Sequence, residues 1–277
     1  MSKEKRKTKQ QTTTSNKGTE HDEALMTTGG HLEVLRQMLF RILGVTGVLA
    51  VVIFCFKDTT WQLLLAPSEW DFCTYRWIES FLQFFGVDFH FNEFHVDMIA
   101  TDLSSQFMTH ITTAVYLGVL GASPYILYEL FRFISPALYE NERRYSVQVA
   151  GIIYALFIIG VLMSYFVLFP ISFRFLGTYS VSARVVSNIT LDSYISTFVS
   201  LTLVMGVVFQ LPVIAFFLGK MGVVTSELLA KYRKHSFLVI MLVAAIITPP
   251  DLMTLILVTI PLYLLYEVSI RVVKLVE

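Results

Sequence analysis

Four charged side chains, Glu140, Glu142, Arg143 and Arg144, stand within five residues at the end of the run FISPALYENERR (133–144). Long apolar stretches flank that run on both sides. A connector this short between two hydrophobic segments lies at a membrane surface, with its charges in water or against a partner. Ser135 followed by Pro136 reads as a helix N-cap with proline at the first helical position. Other polar groups fall at or inside apolar stretches: Glu33, Glu129, Gln210, Asp251 and Glu267. A carboxylate in lipid is costly unless partnered, so each is a candidate for binding or for a polar path. The plainer readings are that Glu129 pairs with Arg132 one turn on and that Glu142 solvates a loop.

The elements that must position these groups follow from composition. Of 277 residues, 55% are hydrophobic and 15% charged, and mean hydropathy is +0.64. A soluble domain of this length could not hide so much apolar surface, so the expected class is an all-α polytopic membrane protein. The formal net charge is zero, which suggests no nucleic-acid partner. Cys55 and Cys73 are the two cysteines, too few for a disulfide scaffold or a four-cysteine metal site, and are read as free thiols.

Residues 1–30 are polar, without apolar periodicity, and read as a disordered tail that is not a cleaved signal. Leu32, Leu35 and Leu39 at helical spacing form a lead-in to a first span ending near Phe56. The first loop, about 57–105, carries Trp61, Trp70 and Trp77 and reads as interfacial, with a short amphipathic helix at 77–85 and an extended strand at 88–97. Span two covers 106–134 and contains Pro124. The connector 135–146 follows, then span three, 147–169, ending at Pro170. After the polar loop 174–193, span four covers 195–218 with Gln210 and Pro212, and the basic connector 219–235 comes next. The last two spans, Phe237–Thr248 and Leu252–Ile270, read as short, joined by the turn Thr248-Pro249-Pro250-Asp251. The membrane domain thus occupies 31–274. Six spans put both termini on one side. That side holds 17 of the 21 lysines and arginines, and the other holds Lys57, Arg76, Arg174 and Arg184. The positive-inside rule then places both termini in the cytoplasm.

His90 and His95 with Asp88, Glu93 and Asp97 match no metal motif, and a strand would turn the two histidines to opposite faces. Asn188-Ile189-Thr190 matches a glycosylation sequon without other signs of a eukaryotic secretory context. No Ser-His-Asp order, phosphate-binding glycine loop or paired-histidine helix motif occurs, so there is no case for an enzyme, and no cofactor is expected.

Several runs together resemble the TatC family, the six-span core subunits of the twin-arginine protein translocase. They are HLEVLRQML (31–39), the LLLAP run ending at Pro67, MIATDLSSQF (98–107), SPYILYELFRFISPALYENERR (123–144), MGVVFQLPV (205–213), ITPPD (247–251) and IPLYLLYE (260–267). They cover most of 31–270 in order. The resemblance implies a receptor in the bacterial inner membrane that binds signal peptides bearing two consecutive arginines at its cytoplasmic face. It also implies TatA- and TatB-type single-span partners, further copies of itself in the complex, and transport driven by the proton-motive force. The implied signal-binding surface is the N-terminal lead-in, with Glu33 and Arg36, plus the first cytoplasmic loop, with Phe133, Pro136, Leu138, Tyr139, Glu140, Glu142, Arg143 and Arg144. The key carboxylate falls on Glu142. Two guanidiniums suit planar, bidentate carboxylates, so Glu142 and a second acid can each take one arginine.

The lead-in departs from the family pattern. The usual glutamate position holds Val34, with Glu33 one residue earlier. One residue rotates a helical side chain by about 100°, so Glu140 becomes an alternative second acid. The resemblance gives Gln210, with Glu129 and Glu267, as intramembrane or partner contacts, and Pro249, Pro250 and Asp251 as the outer hairpin tip. A short fifth span is expected to thin the bilayer for bulky cargo. The competing readings are a proton-coupled secondary transporter of a small solute using Glu129, Gln210 and Glu267, and a structural scaffold. No repeat relates the two halves, as many transporters show.

Overall fold

The computed structural model describes residues 28–88, 90–134, 146–180, 182, 188–248 and 251–277. The tail 1–27, the connector 135–145 with its expected N-cap, and the prolines Pro249 and Pro250 lie outside the described residues. Contacts divide the chain into two units, Met1–Arg41 and Ile42–Glu277.

The chain is built of helices: α1 Thr28–Cys55, α2 Lys57–Leu65, α3 Cys73–Phe84, α4 Ser105–Ile134, α5 Ser146–Met163, α6 Phe169–Thr178, α7 Leu191–Val208, α8 Leu211–Lys220, α9 Ser226–Lys231, α10 Arg233–Ile247 and α11 Leu252–Lys274. Five segments are long and apolar enough to cross a membrane among the described residues: Glu33–Cys55, Ser105–Phe133, Val149–Thr178, Leu191–Lys220 and Leu252–Lys274. The expected fifth span, α10, has 15 residues. At 1.5 Å per residue it rises about 22 Å, short of a hydrocarbon core of about 30 Å. The expectation that the last span is short as well needs correction. The apolar part before Glu267 is short, but α11 runs on through Arg271 and Lys274 to 23 residues. Those two cations sit in its last turn, where they favour the helix C-terminus.

Span three also differs from expectation. Pro170 does not end it: a π-helical turn, Ser164–Leu168, joins α5 to α6, and the helix continues to Thr178. Inside a continuous helix Pro170 withholds its N–H from the Phe166 carbonyl four residues earlier, and a hydroxyl from outside the helix, that of Thr74, donates to that carbonyl instead. Span four breaks instead of running through. α7 stops at Val208, residues Phe209 and Gln210 form a turn, and α8 restarts with Pro212 in its first turn. The strand expected at 88–97 is not formed among the described residues of that stretch. Among the described residues no neighbouring strand offers a ladder, and the Phe91 N–H donates to the Glu79 carboxylate instead, at 2.7 Å. Pairing starts only at β1, Met98–Ile99, which lies parallel to β2, Ile189–Thr190.

Two apolar clusters hold the second unit. One joins Leu64, Tyr75 and Phe94 of the first loop to Phe169, Phe173, Tyr194 and Phe198. The rings of Phe169, Phe173 and Tyr194 meet edge to face about Tyr194, at 5.0 Å. The other joins Leu168, Leu201, Met205 and Phe209 to Ile240, Ala244, Val258 and Leu262. Gly222, at φ +70°, terminates α8, since only glycine takes that conformation cheaply.

Candidate functional site

The seam between α5 and α7 fixes the position of Gln210. Gly160 and Gly206 let the two helices approach closely. A Cβ at Gly160 would lie 2.6 Å from the Met205 carbonyl oxygen, and one at Gly206 would lie 2.6 Å from the Phe157 ring. Pro212 has no N–H for the carbonyl four residues earlier, so the chain turns at 209–210. That turn points the Gln210 amide across the seam. Its Nε2 donates to the Ile153 carbonyl at 3.0 Å, and its Oε1 is buried without a partner among the described residues.

The other polar candidates are held separately. Glu129, on α4, is 6% exposed and accepts a hydrogen bond from the Tyr125 hydroxyl at 3.0 Å. Arg132, its expected partner, is exposed. Glu267 is gripped at both oxygens by Arg233, with Nε 2.8 Å from Oε1 and Nη2 3.0 Å from Oε2, and Tyr263 donates at 3.3 Å. This fork ties α11 to the start of α10. Asp251 caps α11: its Oδ1 accepts from the Thr254 N–H at 2.7 Å, while its Oδ2 is buried without a partner among the described residues. Pro67 is buried in the 3-10 turn Ala66–Ser68.

In the first unit, Glu33 accepts from Arg36 Nη2 at 2.9 Å and from Gln37 Nε2 at 3.2 Å, all exposed on one helix face. Val34 is exposed beside them. Phe133 lies at the end of α4, and Pro136, Leu138, Tyr139, Glu140, Glu142, Arg143 and Arg144 fall outside the described residues.

Sequence reasoning missed the joint between the first loop and span three. The Thr74 hydroxyl donates to the Phe166 carbonyl, and the Tyr75 hydroxyl donates to the Pro170 carbonyl at 2.9 Å. Phe166 stands four residues before Pro170, which has no N–H to offer it. A proline in an apolar run is therefore the signal that a side-chain donor is needed nearby. Burial pushes the Tyr75 hydroxyl well above the ordinary tyrosine value, against the opposing pull of Arg174. The Arg174 guanidinium lies 4.3 Å from the Phe91 ring centre and 4.6 Å from that of Phe94, and donates to the Asn92 carbonyl at 2.8 Å. A cation over aromatic faces thus orders the loop after α3.

Residues 30–261 match the sequence profile of the family described as Sec-independent protein translocase protein (TatC). A TatC from Blattabacterium sp. subsp. Periplaneta americana (strain BPLAN) is 33% identical over 246 residues, which are 87% of this chain and 92% of that protein. The TatCy protein of Bacillus subtilis (strain 168) is 38% identical over 175 residues, 63% of this chain and 69% of that protein. A crystal structure of the twin-arginine translocase receptor TatC superposes with a TM-score of 0.70 at 30% identity, covering 89% of this chain and 99% of that one. A polytopic helical protein with these relatives belongs to the TatC family of Sec-independent protein translocase proteins.

Proposed function

We propose that the chain is the signal-peptide receptor of a twin-arginine translocase in the bacterial inner membrane, with six spans and both termini in the cytoplasm. One observation carries the reading: the family match runs from residue 30 to residue 261, a range in which the charged connector ISPALYENERR falls. Glu142 takes one arginine of the signal as a bidentate, charge-assisted pair, and Glu140 or Glu33 takes the other. Glu33 already holds Arg36 on its own helix, but an exposed pair of this kind is worth only about 0–1 kcal/mol. An incoming guanidinium can therefore displace Arg36 at little cost. Gln210 offers its Oε1, which has no donor among the described residues, to a polar donor on a TatA- or TatB-type span. Cargo export is driven by the proton-motive force.

The test is export of a folded twin-arginine cargo by Glu142→Gln. The amide keeps shape and loses charge, and the loss of a charged hydrogen-bonded pair weakens signal binding about tenfold or more. Replacing the signal's arginines by lysines should cost a similar factor in the parent protein and little more in the variant. Undiminished export by Glu142→Gln removes the assigned site. The transporter reading loses ground because Glu267 is closed by Arg233 rather than open to a path.

A further inference from the structure

We propose that α3 is a lipid anchor, a short helix whose aromatic face inserts at the water–lipid interface on the side of the first loop. Trp77, Phe81 and Phe84 recur at helical spacing and, with Phe85, are 61%, 63%, 85% and 66% exposed. Arg76, Ser80 and Gln83 are exposed on another arc of the same helix, and Tyr75, buried, with the half-buried Ile78, Glu79 and Leu82 faces the protein. The helix therefore has three faces: one packed, one polar, and one of bare aromatic rings. Gly86, at φ +77°, ends it in a Schellman turn, with its N–H on the Gln83 carbonyl at 2.9 Å and the Val87 N–H on the Leu82 carbonyl at 3.1 Å. The exposed Phe84 and Phe85 are thus held by a defined stop.

The depth of α3 is set by span three. Trp77 and Phe72 lie 6.0 and 5.9 Å from Phe166, ring centre to ring centre, and Thr74 bonds the Phe166 carbonyl. Ile152, Ile159 and Leu162 precede Phe166 at helical intervals on the same span and are 54%, 54% and 46% exposed. That stripe is apolar surface on a membrane-crossing helix and faces acyl chains. It runs up to the π turn that holds Phe166, the residue on which Trp77 and Phe72 pack, so the bare face of α3 stands at the end of an apolar surface on a membrane-crossing helix. This continuity selects lipid as the occupant. A tryptophan leading an aromatic face, with polar residues on the adjoining arc, is the composition that settles at a headgroup boundary.

The experiment uses the full chain in phosphatidylcholine–phosphatidylglycerol vesicles, with Trp61 and Trp70 replaced by Phe so that Trp77 is the sole tryptophan. Bromines at the headgroup end of the acyl chains should lower Trp77 emission by about half, deeper bromines less, and aqueous iodide least, as for a face buried about 5–10 Å into the interface. Stronger quenching by iodide than by bromine overturns the anchor in favour of a water-facing helix. Quenching by neither overturns it in favour of cover by a second copy. Should the double replacement fail to fold, a nitroxide on Phe84→Cys, with Cys55→Ser and Cys73→Ser, answers the same question. Collisions with oxygen exceeding those with a water-soluble nickel chelate support the anchor, and the reverse overturns it.

Discussion

Gln210 uses one half of its amide: Nε2 is satisfied by Ile153, and the buried Oε1 has no donor among the described residues. An unpaired acceptor of this kind costs about 1–3 kcal/mol, so Gln210→Leu is expected to leave the thermal stability of the isolated chain unchanged or slightly raised. Co-purification of a single-span partner should fall severalfold in the same variant if Oε1 is its contact. Unchanged co-purification with unchanged stability would leave the amide with no assigned partner. Glu277 supplies a pH-dependent counterpart. Its carboxylate accepts from the Ser226 N–H at 2.6 Å and the Ser226 hydroxyl at 2.5 Å, which holds its pKa below the ordinary carboxylate value. A carboxyl with a depressed folded value contributes its contact fully above the unfolded pKa and loses it as pH falls through the folded one. The contact should therefore persist through the ordinary carboxylate range and be lost below it. A carbon-detected titration of Glu277 should show an upward-moved midpoint in Ser226→Ala.

At the scale of elements, close approach and proline chemistry decide most of what differs from a simple span count. The α5–α7 seam depends on two glycines, and a methyl at Gly206 must push the Phe157 ring while one at Gly160 meets backbone. Gly160→Ala is expected to destabilise by about 1–3 kcal/mol and Gly206→Ala by less, because a ring can move and a carbonyl cannot. Denaturation in mild detergent orders the two. Thr74→Val keeps the volume but strands the Phe166 carbonyl, at about 1–3 kcal/mol, and should release α3 to proteolysis before the spans unfold. Hydropathy and length made the spans legible, and the amphipathic pattern at 77–85 marked α3, which begins four residues earlier, at Cys73. The π turn and the break at 209–210 were not legible as such. Pro170 and Pro212 announce that backbone bonds are missing, but whether the helix continues or breaks depends on what supplies the missing partner, and that is a long-range contact. The alternation at 88–97 misled because aromatic residues there serve the Arg174 guanidinium, not a strand ladder.

At the scale of the whole molecule, the fifteen-residue α10 is the shortest path across the bilayer proposed for this chain. If it crosses, the membrane must thin around it or neighbouring helices must shield its ends. Inserting four leucines adds about 6 Å and should reduce cargo export while leaving signal binding intact. Export at the parental rate would detach the short helix from transport. Composition and family motifs made the membrane class and the TatC family readable from residues 30–261. The placement of α3 was not fully readable, since it rests on Phe166, some ninety residues away. The π turn at Ser164–Leu168 has one more consequence. A wide turn shifts the angular phase between the two lengths of helix it connects. The two lengths of span three, α5 and α6, thus keep separate phases, each matched to its own neighbours. Deleting one residue from that turn would rotate everything beyond it by about 100°. Phe169 and Phe173 would then swing away from Tyr194, and Arg174 from Phe91 and Phe94, so the cluster that joins the first loop to α6 and α7 would come apart through a change in a turn inside the bilayer-spanning helix.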